Sequence, residues 1–182
     1  MRLSKIFLFS LLCCFVFPIS SNADQLEDAK IALGNENFEK AYELLSPLAE
    51  NGNAEAQNIL GSMYVNGQGL EQDATKGLSW IMKAANQGHE GARKNAYMLC
   101  YDEAEQGNMG AMHNLAYMCL NGWIEGSDTS KCLKLLEGAA INGFTPSAKA
   151  LCKIYREGMY GVDSDEGMAT YWENFVAESA EK

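Results

Sequence analysis

Displacing the sequence against itself by 55 residues lays Asn53–Gly88 over Asn108–Gly143 without a gap, and twelve of the 36 paired positions are identical. The pairs are Asn53/Asn108, Ala56/Ala111, Leu60/Leu115, Met63/Met118, Asn66/Asn121, Gly67/Gly122, Asp73/Asp128, Lys76/Lys131, Leu78/Leu133, Ala84/Ala139, Ala85/Ala140 and Gly88/Gly143. Self-similarity on this scale marks stacked supersecondary units, none of which can bury its apolar face alone. The punctuation of the first copy is mechanical. Ala56, Leu60 and Tyr64 share one stripe of a first helix. Gly61 permits close approach of a partner helix, and Gly67 and Gly69 suit a turn that needs positive φ. Asp73 stands where a carboxylate caps a second helix. Trp80, Ala84 and Ala85 continue the buried stripe, and Gly88 ends it.

Read from Ala56 to Gly88, the pattern is A-x3-L-G-x2-Y-x2-G-x-G-x3-D-x2-K-x3-W-x2-K-A-A-x2-G. It resembles the Sel-one-like repeat family, 36-residue relatives of the tetratricopeptide repeat. The resemblance implies an all-α fold, a right-handed α/α superhelical solenoid of helix-turn-helix repeats with about nine helices. It also implies an adaptor or scaffold role, often in bacterial envelopes or secretory compartments.

Residues 1–23 read as a secretory signal peptide. Arg2 and Lys5 form a positive start, Ile6–Phe17 is apolar, and Ser21-Asn22-Ala23 offers small residues for cleavage. The apolar run has 12 residues, against about 20 for a bilayer span, so no membrane insertion is expected after signal removal. Lipidation at Cys13 or Cys14 would need a small residue before the cysteine, and Leu12 and Cys13 stand there. The expected destination is the bacterial periplasm, or secretion.

Residues 24–52 then read as an N-terminal capping hairpin, with Pro47 expected to kink its second helix or begin its last segment. Residues 53–88 are a complete repeat and 89–107 a truncated one. In the truncated unit Ala92, Ala96 and Cys100 follow Ala56, Leu60 and Tyr64 by 36 residues, and about 17 residues are then missing. A single helix is expected there, breaking the up-down alternation and asking whether one groove can continue across it; the alternative is two very short helices, which would preserve the alternation. Residues 108–143 restore the repeat, and 144–182 form the last repeat and C-terminal cap.

Charge removes whole classes of partner. Without Arg2 and Lys5, twelve basic residues face 24 acidic ones, a net of −12. Nucleic acid would be repelled by that field, and no polybasic run overrides it. Four cysteines remain after the signal: Cys100, Cys119, Cys132 and Cys152. In an exported chain they suggest two disulfides. Cys119 and Cys132 fall at facing positions of one hairpin, which would leave Cys100 for Cys152. The rival arrangement joins Cys100 to Cys119 and Cys132 to Cys152. No Cys-x-x-Cys supports redox chemistry, and Cys100, His113, Cys119 and Cys132 match no compact zinc spacing, so no metal and no cofactor are expected.

Catalysis has no constellation to rest on. The only Ser-x-x-Lys is Ser179–Lys182, without Ser-Asp-Asn or Lys-Thr-Gly, and no Gly-x-Ser-x-Gly, His-Glu-x-x-His or phosphate loop occurs. Together with the adaptor role that the resemblance implies, this leads to the expectation of a non-enzymatic protein- or peptide-binding adaptor. The alternatives are a small envelope enzyme acting on peptidoglycan or β-lactams, or a secreted effector or inhibitor. In tetratricopeptide-type stacks the first helices line the concave face. Projecting their inward positions selects Asn58 and Ser62, then Lys94, Met98 and Tyr101, then His113 and Tyr117, and last Lys149, Lys153 and Arg156. His113 is also consistent with a solvated histidine opposite the buried stripe. The last three share one helix face and form a basic stripe on an acidic protein. Trp123 and the pair Met159-Tyr160 stand at turn edges, where they could meet a partner or fold back on their own turns.

Overall fold

The computed structural model describes residues 21–180, so most of the expected signal peptide, residues 1–20, lies outside the described residues. Nine α-helices and no strand occur among the described residues: α1 Asn22–Gly34, α2 Phe38–Glu50, α3 Ala54–Asn66, α4 Ala74–Asn86, α5 Glu90–Glu105, α6 Met109–Leu120, α7 Thr129–Ile141, α8 Thr145–Glu157 and α9 Glu166–Ala180. Each helix packs on its neighbours in sequence, giving an all-α repeat solenoid. No helix among the described residues is long and apolar enough to cross a membrane.

The helix ends repeat a small set of devices. Side-chain oxygens of Asn53, Asp73, Asn108 and Asp128 accept N–H bonds three residues on, at Ala56, Lys76, Ala111 and Lys131. These satisfy donors that a helix start leaves free. Between units the closure is equally regular. Gly88 has φ of +90°, its N–H donates to the Ala85 carbonyl, and His89 N–H reaches back to Ala84. Gly52, Gly107 and Gly143 repeat that φ and that pair of bonds. Only glycine takes this conformation without strain, which is why the sequence places one at every junction.

Gly61 and Gly77 set the α3–α4 spacing. A Cβ on either would come 2.7 Å from the other's carbonyl oxygen, so the two backbones touch. In the second copy Ala116 and Cys132 occupy these places, and Cys132 is disulfide-bonded to Cys119, the counterpart of Tyr64. A backbone contact in one hairpin is thus replaced by a covalent one in the other.

Two sequence expectations change. Pro47 lies inside one uninterrupted α2 and does not begin a new segment. The truncated unit, a single helix α5, does not break the alternation of direction. It changes which row each helix joins. Helices α3 and α5 run parallel and adjacent: Glu55 meets His89, Asn58 meets Asn95, and Ser62 and Val65 share a cleft with Met98 and Leu99. Helices α4 and α6 are parallel and adjacent too. Thr75 and Leu78 share a cleft with Gly110 and Ala111, and the Tyr117 hydroxyl donates to Asn86 Oδ1 at 2.7 Å. Helix α6 opens a repeat as α3 does, yet it stands in the row of second helices. Helix α8 follows it there, through His113 to Ser147. The missing second helix has moved everything downstream by one place in the stack.

The core follows the chain in three overlapping parts. The first joins α1–α3 around Leu45, Leu48 and Leu60. The second surrounds Ile81, Cys100 and Met118, and the third Leu136, Leu151 and Trp172. Alanines at Ala84, Ala85, Ala139 and Ala140 are wholly buried, letting helices approach where a larger side chain would hold them apart.

Candidate binding clefts

The row change divides the face expected from the first helices. Asn58 accepts from Asn95, and the Ser62 hydroxyl donates back to the Asn58 carbonyl, so both are engaged within α3 and α5. Lys94, Met98 and Tyr101 lie exposed on α5. His113, Tyr117, Lys149, Lys153 and Arg156 belong to α6 and α8, in the other row.

Three of those five converge. His113, Tyr117 and Lys153 line one cleft of about 160 Å³, whose remaining wall is apolar: Leu120, Leu136, Ala150, Ile154 and Met159 among others. His113 is not a solvated surface ring, correcting that expectation. Its Nδ1 is hydrogen-bonded to the buried Ser147 hydroxyl at 2.9 Å, and the ring lies 5.5 Å from that of Phe144. Burial pulls its pKa below the ordinary histidine value, because a low-dielectric site disfavours the charged imidazolium. Lys153 is exposed at the mouth and has no carboxylate within ion-pairing distance among the described residues. Lys149 is exposed one turn earlier. Arg156 leaves the stripe. Its guanidinium donates to Glu173 at 2.8 Å and lies 3.8 Å from Glu166, which commits it to holding α9.

Trp123 folds back instead of projecting. It is half-buried, packs on the second core cluster, and meets Tyr117 edge-on with 5.6 Å between ring centroids. Tyr160 does the same in the last turn, where its carbonyl accepts from the Thr129 hydroxyl at 3.2 Å. Trp123 also walls a second cleft of about 390 Å³ with Glu90, Arg93, Lys94, Tyr97 and Ile124. Arg93 was not singled out by the sequence reading, although a signal existed. It falls 36 residues after Gln57, and both side chains donate to a carbonyl eight residues upstream, Ala85 and Ala49. An arginine replacing a buried glutamine at a repeat position has length to spare, and here it reaches Trp123.

The four cysteines among the described residues resolve into one bond and two thiols. Cys119 and Cys132 are joined, while Cys100 and Cys152 are free, so neither two-disulfide arrangement occurs. Cys100 is buried against α6, and burial pushes its thiol up to about 11, the inert end of cysteine reactivity. Among the described residues no cluster of three or more potential metal ligands forms.

Four stretches, 34–53, 54–89, 110–144 and 146–172, match the Sel1 repeat. The interval between the second and third matches, 90–109, holds α5. Among solved structures, c5321, a protective antigen of uropathogenic Escherichia coli with an SLR fold, is similar at 24% identity over 87% of this chain, with TM-score 0.43. A Sel1 repeat protein from Oxalobacter formigenes is similar at 24% over 88%, also with TM-score 0.43. The immunity protein Pa5087 from Pseudomonas aeruginosa stands at 14% over 88% of this chain and 86% of its own, with TM-score 0.32. The chain spans only 38% and 52% of the first two relatives. With four repeats covering more than half of its length, the chain belongs to the Sel1 repeat family.

Proposed function

We propose that this protein is a non-enzymatic adaptor, exported to the bacterial envelope, that binds a protein partner through a short peptide segment in the α6–α8 cleft. Sel1 repeat proteins are in general protein-interaction scaffolds. One observation carries the proposal further. The cleft combines an apolar floor with a single exposed ammonium at its mouth, Lys153, and a neutral polar ring, His113, at its inner end. Such a site takes one apolar side chain and favours an acidic group beside it. Export rests on the sequence of residues 1–23, and the single disulfide fits an oxidising compartment.

Selection from a displayed library of linear peptides tests this reading. Peptides pairing an apolar residue with a neighbouring acid are expected. Lys153→Glu, at an exposed position, should weaken them at least tenfold, and Ala150→Trp, which fills the cleft, should abolish binding. The melting temperature of Lys153→Glu should be unchanged. Absence of any selected peptide, or equal binding by both variants, would overturn the proposal.

A further inference from the structure

The cleft between α5 and the α6–α7 turn contains a guanidinium that forms no ion pair among the described residues. The described residues include two arginines, and Arg156 is met by two carboxylates. Arg93 is met by none within 4.0 Å among the described residues, although acidic residues outnumber basic ones 24 to 14. Its Nε–H is fixed to the Ala85 carbonyl at 3.2 Å, and its guanidinium carbon lies 5.1 Å from the Trp123 ring centroid. The guanidinium is thus held through its Nε–H edge and by its contact with the indole, with its terminal N–H groups left over. Lys94 adds a second positive charge on the same wall, and Tyr97, Trp123 and Ile124 supply flat apolar surface.

We infer that this cleft is a carboxylate-binding site, in which Arg93 grips the carboxylate and an aromatic or apolar group of the same ligand lies against Trp123 and Tyr97. A half-buried guanidinium held by a carbonyl and an indole face is pre-organised for a planar two-oxygen acceptor. Glu90 and Glu125 line the same cleft and disfavour a polyanion, so the ligand carries one carboxylate, either the α-carboxylate of a chain end or an Asp or Glu side chain. The site is separate from the α6–α8 cleft and stands whether or not a peptide binds there. The two meet only through the Tyr117–Trp123 contact.

Three probes test the inference by NMR titration of the Arg93 Nε–H and the Trp123 indole signals. They are N-acetylphenylalanine, with an α-carboxylate; N-acetylglutamyl-phenylalaninamide, with a side-chain carboxylate; and N-acetylphenylalaninamide, with neither. At least one acid should shift both signals saturably at concentrations on the order of 10 mM, at least fivefold more tightly than the neutral amide. The acid that binds better identifies the source of the carboxylate. Arg93→Gln restores the residue type that donates to the equivalent carbonyl one repeat earlier, so the fold is kept while the grip is lost, and affinity should fall at least fivefold. Lys94→Gln should give a smaller loss. Equal response to all three probes, no response to either acid, or full binding by Arg93→Gln would overturn the inference.

Discussion

Breaking the Cys119–Cys132 bond should lower stability by an amount that the loop it closes sets in advance. The two residues are 13 apart in sequence with 5.5 Å between their Cα atoms, and both are buried between α6 and α7. Chain-entropy arguments give about 3 kcal/mol for a loop of that length. For a domain near 160 residues this corresponds to a fall in Tm of roughly 6–12 °C. Thermal unfolding followed by circular dichroism, with and without reductant, measures it. The Cys119→Ala/Cys132→Ala double variant should start at the reduced value and ignore reductant. Thiol titration supplies the second arm. In the chain from Asp24 onward, denatured without reductant, two thiols should react, those of Cys100 and Cys152, rising to four after reduction. No reactive thiol before reduction, or a melting temperature indifferent to reductant, would refute this reasoning and return the alternative pairings.

The remaining predictions concern contacts between helices. Gly77→Ala places a Cβ 2.7 Å from the Gly61 carbonyl and 2.5 Å from Val65 Cγ2. Overpacking against backbone costs about 1–3 kcal/mol, partly offset by about 1 kcal/mol of helix propensity. A net loss is expected in chemical denaturation, whereas Gly138→Ala, which meets only the flexible end of Met112 at 3.0 Å, should be neutral or stabilising. His89 caps α5 by accepting from Ala92 N–H at Nδ1, so its proton sits on Nε2, which donates to Glu55 at 2.6 Å. His89→Ala should cost about 1 kcal/mol through the lost cap alone, and His89→Asn should recover most of that in the same denaturation assay. The depressed pKa of His113 makes its contribution fully present above the unfolded value of about 6.5 and lost as pH falls through the lower folded value. Melting temperatures recorded across that interval should decline toward acid in the wild type, and less steeply in His113→Gln.

Local structure was legible because it is written in single residues. Asn53, Asp73, Asn108 and Asp128 mark helix starts, and Gly88 and Gly143 mark ends, each by a bond that few other side chains or conformations can make. The stack was not legible, since repeat phase tells which part of a unit a helix came from and not which row it enters. Helix α6 carries the residues of α3, yet it meets α4 because only one helix separates them. The candidate face was projected from phase and therefore divided at α5. His113 and Arg93 show a further limit. Both are polar residues at positions whose burial is decided by the neighbouring unit, His113 by Ser147 and Arg93 by Trp123. Cys100 and Cys152 show it again, because an even count says nothing about distance.

The row change at α5 is the claim on which the positions of both clefts depend. Nuclear Overhauser contacts from the Tyr117 ring test it most directly. They should reach the Asn86 side chain at the end of α4, where the hydroxyl and Oδ1 are 2.7 Å apart. Contacts from Tyr117 to Asn58 or Ser62 of α3 instead would put all the first helices in one row and contradict the account.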